Sequence, residues 1–294
     1  MRGLRDEADR LLEEGGALVL ERRNQDGKTP LMLAVEHDRG EIFELLFSRG
    51  ADVAKKDSKQ GNNVMHLACR KGNAAAVARV FAVREEMCLQ QNFHGETAFH
   101  VAASSGSLEC LQAMDKYKVR SLAVRNVEGE NPLFTATRAG NREVFRWFQG
   151  QLDFFKARGE RNYRGQTIEH VCCMLMQREI VEDINPQPDT RDYYGNLPLF
   201  YTVMNNDELN AATFQHGKNY YHLRNYKQET LFHVAAKHNS VQALETLNKR
   251  AVFFEELIKK DFKGDTPFHL AAKAGALEMM RYLMRSATAP FLSI

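Results

Sequence analysis

Polar and apolar positions follow one another along this chain in a fixed order that recurs. A short polar block such as Asn24–Gly27 leads into an apolar stretch, Pro30–Val35 (PLMLAV), long enough for about two helical turns. A second polar break follows, then another apolar run such as Glu41–Phe47 (EIFELLF) or, late in the chain, Leu277–Met284 (LEMMRYLM). Apolar residues spaced three and four apart in these runs predict amphipathic helices. The order is anchored by Gly27, Gly61, Gly95, Gly129, Gly165, Gly195, Gln228 and Gly264, at separations of 34, 34, 34, 36, 30, 33 and 36 residues. A period of this size predicts an array of supersecondary units rather than one globular core.

Each part of the block has its own physical reason. Three residues before the anchors stand Asn24, Ser58, Asn92, Asn126, Asn162, Asp192, Asn225 and Asp261, short polar side chains that bond to their own backbone and brace a tight turn. The anchor glycine supplies a positive φ, so Gln228 predicts a strained or different turn. Two residues after the anchors come Thr29, Asn63, Thr97, Asn131, Thr167, Leu197, Thr230 and Thr266; all but the leucine are good helix N-caps. Pro30, Pro132, Pro198 and Pro267 follow at the first helical position, where a missing N–H costs nothing. Eleven residues past the anchors, Asp38, Gly72, Gly106, Gly140, Met176, Asn206, Asn239 and Gly275 predict left-handed stops that end short first helices.

Leu31, Met65, Phe99, Leu133, Leu199, Phe232 and Phe268 recur at one position of the first helix and predict a buried spine. Trp147 and Phe148 fall at core-facing positions of a second helix. One unit cannot bury its apolar faces alone, so stability is expected from the interfaces between neighbours.

The signatures TPLMLA (from Thr29), TAFHVAA (Thr97), TLFHVAA (Thr230) and TPFHLAA (Thr266), with RGADV from Arg49, resemble those of ankyrin repeats. The resemblance spans roughly residues 5 to 285. It is weakest between 165 and 225, where TIEHVCC and LPLFYTV depart from the signature. It implies an all-α fold, an α-solenoid of stacked helix-turn-helix repeats with short turn fingers. The expected divisions are a partial N-terminal repeat or cap over 1–23, repeats one to four over 24–164, divergent repeats five and six over 165–223, and repeats seven and eight with a tail over 224–294. LLEEGGA at Leu11 reads as the end of a unit whose first half is absent, and SATAPFLSI follows Met284 without a polar cap. The chain is therefore expected either to be part of a longer protein or to use flanking helices as caps.

Composition narrows the function. The formal charge is only +2 despite 40 lysines and arginines, which argues against a nucleic-acid binder working by bulk charge. Five cysteines, Cys69, Cys88, Cys110, Cys172 and Cys173, lack metal or disulfide spacing and predict thiols in a reducing intracellular compartment. No apolar run is long enough for a membrane span, and the charged N-terminus is unlike a signal peptide. The expectation is a cytoplasmic monomer; a secreted bacterial effector acting in host cytoplasm is the alternative setting.

Candidate chemistry is sparse. His66, His100, His170, His233 and His269 share one slot per repeat, spread along the array rather than converging, and the resemblance implies rings that hydrogen-bond backbone around the turn. Cys172 takes a small-residue slot filled elsewhere by Ala34, Ala68, Ala102 and Ala271, which predicts packing rather than nucleophilic catalysis. No phosphate-binding loop, HExxH helix or GxSxG elbow is present. No catalytic residue, metal or cofactor is expected.

Binding is the remaining reading. The resemblance implies a concave face of turn tips and first helices that holds another protein. Before each brace stand Arg23, Asp57, Gln91, Arg125, Arg161, Arg191, Arg224 and Lys260; after it stand Gln25, Lys59, Phe93, Val127, Tyr163, Tyr193, Tyr226 and Phe262. Either each aromatic covers its neighbouring turn, or the row is a ladder of anchors, since tyrosine and arginine are enriched at binding hot spots. On the first helices Met174 and Met204, beside Tyr194, form an apolar middle between basic positions such as Arg138, Lys237 and Lys273. The expected partner is a protein or peptide segment with a hydrophobic centre and acidic flanks, laid across repeats five to seven. The rivals are a small anionic ligand gripped by the arginine row, and a targeting or regulatory arm of a larger enzyme, channel or effector.

Overall fold

The computed structural model describes residues 19–150, 154–184, 190–214, 222–247 and 254–288, and every regular element among them is helical. The partial unit expected at Leu11–Ala17 and the tail beyond residue 288 lie outside the described residues. The chain divides into two compact units, Met1–Arg158 and Gly159–Ile294.

In the first unit the first helices of repeats one to four, Pro30–Glu36, Val64–Lys71, Ala98–Ser105 and Pro132–Ala139, pack side by side in one layer. The second helices, Gly40–Ser48, Ala74–Val83, Leu108–Ala113 and Arg142–Gln149, form the other. The second unit repeats the plan with first helices Ile168–Met174, Pro198–Met204, Leu231–His238 and Pro267–Ala274. Its second helices are Arg178–Ile184, Glu208–Thr213, Val241–Leu247 and Leu277–Thr288.

All eight expected stops adopt positive φ, including Met176 at 55° and Asp38 at 53°. The eight anchors do the same. Gln228 keeps the same turn as the glycines, closed by its N–H to Asn225 C=O at 2.9 Å, and so holds a side chain at φ 60°. Non-glycine residues pay about 1 kcal/mol for that conformation.

One register assignment is corrected. In the second finger Asp57, not Ser58, is the brace: its Oδ1 accepts from the N–H of Gln60 at 2.8 Å and of Asn62 at 3.3 Å. This finger carries one extra residue, so Asp57 leaves the basic row and Lys56 takes that place.

The spine is buried from Leu31 through Phe232, with Met65, Phe99 and Leu133 fully enclosed, each stabilising by roughly 1.5–3 kcal/mol. Glu169 occupies the slot in repeat five and is buried as well. Phe268 is only half-buried. Trp147 departs from expectation. Val144, Phe145 and Phe148 hold the core face of their helix, and the indole lies half-exposed beside them. The Lys118 ammonium sits 3.7 Å from its ring centroid. Several repeats also end in extra turns the sequence pattern did not show, at Glu85–Leu89, Lys118–Ser121, Phe154–Gly159 and Phe254–Leu257.

Candidate functional site: the fingers and first helices

Each finger is built by its brace. Asn162 Oδ1 accepts from the N–H of Arg164 and of Gln166, both at 3.0 Å, and Asp192, Asn225 and Asp261 do the same in their turns. Buried braces of this kind fix the backbone, so the tip side chains point outward from rigid turns. Successive tips are tied together. In the first unit the N–H of Phe93 donates to Gln60 C=O and that of Val127 to His94 C=O. In the second, Tyr193 N–H meets Arg164 C=O at 3.1 Å, Tyr226 N–H meets Tyr194 C=O at 3.1 Å, and Phe262 N–H meets Lys227 C=O at 3.0 Å.

The structure shows ring-over-turn packing in part of the aromatic row. A Cβ placed on Gly165 would lie 2.4 Å from the Tyr193 ring, one on Gly195 would lie 2.6 Å from Tyr226, and one on Gly61 would lie 2.5 Å from Phe93. Each of these rings therefore lies against the preceding repeat's anchor glycine. Yet Tyr163 is 67% exposed, Tyr193 65%, Tyr226 67% and Phe262 61%. Tyr194 is exposed beside them. Phe93, Tyr193 and Tyr226 are thus seated on the preceding turn on one side and open to solvent on the other.

The arginine row has a different employment. Arg161 donates from one guanidinium nitrogen to Gly165 C=O at 3.0 Å and to Arg191 C=O. Arg191 donates to Gly195 C=O and Arg224 C=O, both at 2.6 Å. Arg224 reaches Gln228 C=O and then Lys260 C=O at 3.1 Å. In the first unit Arg125 bonds Gly129 C=O at 3.0 Å and Lys56 bonds Gln91 C=O at 2.6 Å. The row is a strap across carbonyls of its own and the next turn.

Met174 and Met204 occupy equivalent positions on adjacent first helices and are half-buried. The basic positions that flank them are ion-paired. Arg138 makes a two-point bond to Glu130, at 2.7 and 2.6 Å; Lys237 pairs with Glu229; and Lys273 meets Asp265 at 2.6 Å. Repeat one carries the same pair reversed, Lys28 with Glu36. Opposite charges eight residues apart, reversed in repeat one, are the sequence signal for these pairs. Tyr201 was missed: its hydroxyl donates to Asp192 Oδ2 at 2.6 Å and accepts from Gln166 Nε2 at 3.2 Å.

The histidines do what the shared slot implied. Nδ1 of His100, His170 and His233 faces the hydroxyl of the N-cap threonine at 2.8–2.9 Å. Nε2 donates to a carbonyl of the next repeat: Glu130 at 3.0 Å, Asn196 at 3.1 Å and Asp265 at 3.1 Å. Because a carbonyl only accepts, the proton is on Nε2 and Nδ1 is the acceptor. Burial depresses the pKa of His66 and His100 to about 4, which keeps the rings neutral. His269 is exposed, with Thr266 alone holding its Nδ1.

All five cysteines are buried thiols. Burial pushes Cys88 and Cys173 up to about 12, the reverse of what a nucleophile needs. Among the described residues no group of histidine, cysteine and carboxylate could hold a metal, and no helix is long and apolar enough to cross a membrane.

A model of three ankyrin repeats matches residues 54–121 and 199–290, and a model of a single ankyrin repeat matches residues 26–58. No curated protein matches the chain. The stretch between the matches keeps the same order of brace, cap and stop, at Asn126, Asn131 and Gly140 and again at Asn162, Thr167 and Met176.

Proposed function

Because the chain belongs to the ankyrin-repeat family, whose repeats are protein–protein interaction modules, we propose that it is a binding scaffold. A partner segment lies on the fingers and first helices of its second unit. The observation that carries this reading is the run of exposed aromatics on four consecutive fingers, Tyr163, Tyr193, Tyr226 and Phe262, held by braced turns. The rings of Tyr193 and Tyr226, already seated on the preceding turns, lose little entropy when a partner covers them. Met174 and Met204 add an adaptable apolar floor, and Tyr194 adds a further ring. Phe93 is an exposed ring on a finger of the first unit, where Arg125 is bonded to the Gly129 carbonyl.

The rival in which the arginine row grips a small anion is the weaker one. Arg161, Arg191 and Arg224 are spent on turn carbonyls, and stripping them for a phosphate would forfeit those bonds.

The test uses peptides selected from a random library on the whole chain, with affinities measured by fluorescence anisotropy. Joint replacement of Tyr163, Tyr193 and Tyr226 by alanine is expected to weaken the selected peptides by at least about a hundredfold, since each hot-spot aromatic is worth about 1 kcal/mol or more. Circular dichroism of the variant checks that it stays folded. Unchanged affinity in a folded triple variant would sink the proposal.

A further inference from the structure

The residue after each aromatic tip separates the two units. In the first unit these second-tip residues are Asp26, Gln60, His94 and Glu128; in the second they are Arg164, Tyr194, Lys227 and Lys263. The finger ladder makes the difference spatial. Tyr193 N–H bonds Arg164 C=O, Tyr226 N–H bonds Tyr194 C=O, and Phe262 N–H bonds Lys227 C=O. Each second-tip residue of one finger is thus placed beside the aromatic tip of the next, and the second unit presents rings and cations by turns.

At the end of this ladder fingers seven and eight enclose a cleft of about 200 Å³. Phe262 and Leu270 form its apolar wall, and four lysines line it. Lys237 and Lys273 are neutralised by Glu229 and Asp265, while Asp261 is occupied in bracing its own turn. Lys227 and Lys263 are exposed and have no ion pair among the described residues; Lys263 lies 5.7 Å from the Phe262 ring centroid. With four lysines against the carboxylates of Glu229, Asp261 and Asp265, the cleft keeps a surplus of one positive charge against an aromatic wall.

We propose that this cleft takes a carboxylate side chain of an extended partner polypeptide, in which an acidic and an apolar residue recur together every third position. The spacing follows from geometry. Packed helices lie roughly 8–10 Å apart, and a chain in the polyproline II conformation advances about 3.1 Å per residue with about three residues per turn, so every third residue returns to the same face at successive fingers. The apolar residue of each triplet lies on an aromatic tip, and the acidic one meets Lys227 or Lys263 at the last two fingers. Tyr194 leaves the second step without a cation. The acidic character expected from the basic positions Arg138, Lys237 and Lys273, which are ion-paired, rests on the second-tip residues instead. This inference depends on the binding-face reading above and adds charge and register to it.

The experiment uses the full chain and fluorescein-labelled peptides built from the triplet leucine–glutamate–serine. The comparisons are a permuted peptide of the same composition, a peptide with glutamine in place of glutamate, and oligothymidylate of similar charge. The triplet peptide is expected to bind most tightly and to weaken with salt. Joint Lys227→Gln and Lys263→Gln replacement is expected to cost it about five- to tenfold, as for two partly exposed charge pairs. Equal binding of the triplet, permuted and glutamine peptides, still dependent on the three tyrosines, overturns the acidic register and leaves the binding face standing. Tighter binding of oligothymidylate, lost in the same lysine variant, overturns it in favour of a nucleic-acid surface. Indifference of all peptides to both lysines and tyrosines removes the two readings together.

Discussion

Protonation of the buried histidines supplies the sharpest test of the repeat stack. His66 and His100 are enclosed, each donating Nε2–H to a carbonyl of the next repeat, Glu96 at 2.9 Å and Glu130 at 3.0 Å. Their pKa values are depressed to about 4, chiefly by burial, against about 6.5 in an unfolded chain. The unfolded state therefore binds protons first as pH falls, and stability declines from about pH 6.5 down to about pH 4. At pH 5 the linkage amounts to about 2 kcal/mol for each ring, or about 4 kcal/mol for the pair. That is a large share of a total near 5–15 kcal/mol. The chain's one tryptophan, Trp147, lies in the same unit as both histidines, so urea unfolding followed by its fluorescence reads the right part of the molecule. Stability should fall with a limiting slope of about 2.7 kcal/mol per pH unit between pH 6 and 5. The His66→Gln, His100→Gln double variant should start less stable at neutral pH but show a much flatter profile. Paired carboxylates such as Asp265 and Glu85, whose pKa values are lowered by lysine partners, lose their contribution only at more acid pH. A wild-type profile that is flat from pH 7 to 5 would refute the reasoning, because neutral, buried, carbonyl-bound histidines cannot be indifferent to acid.

Three further outcomes are expected. Gln228→Gly should stabilise the second unit by about 0.5–1 kcal/mol, seen as a rise in its melting temperature, since the turn already runs at φ 60°. Gly165→Ala should destabilise by 2 kcal/mol or more, given φ 73° and a Cβ position 2.4 Å from the Tyr193 ring; adding Tyr193→Ala should recover part of the loss in a double-mutant cycle, and strict additivity would show that the ring does not cover the glycine. Arg191→Met should cost about 1–3 kcal/mol in chemical unfolding, because the carbonyls of Gly195 and Arg224 each lose a 2.6 Å donor; a neutral result would return the arginine row to ligand binding.

The sequence by itself determined the repeat, its phase and nearly every turn, cap and stop. Those features are set by bonds that span a few residues: Asn162 with the N–H groups two and four residues on, Thr97 with His100, Asn239 at its left-handed stop. Short-range backbone chemistry is legible because it needs no knowledge of what lies across the molecule. The second finger shows the limit even there, since one inserted residue moved the brace from Ser58 to Asp57.

Only the tertiary structure decided what each outward residue is for. The arginines looked like ligands until their acceptors were found 30–36 residues away, on the next turn. TAFHVAA and TPFHLAA read alike, yet His100 is enclosed and His269 is exposed, because among the described residues a following turn covers only the first. Trp147 stands one position from Phe148 and ends under a lysine instead of in the core. In a stack, a side chain's burial and partners come from the neighbouring repeat, and a motif that is identical within its own unit carries no record of that neighbour.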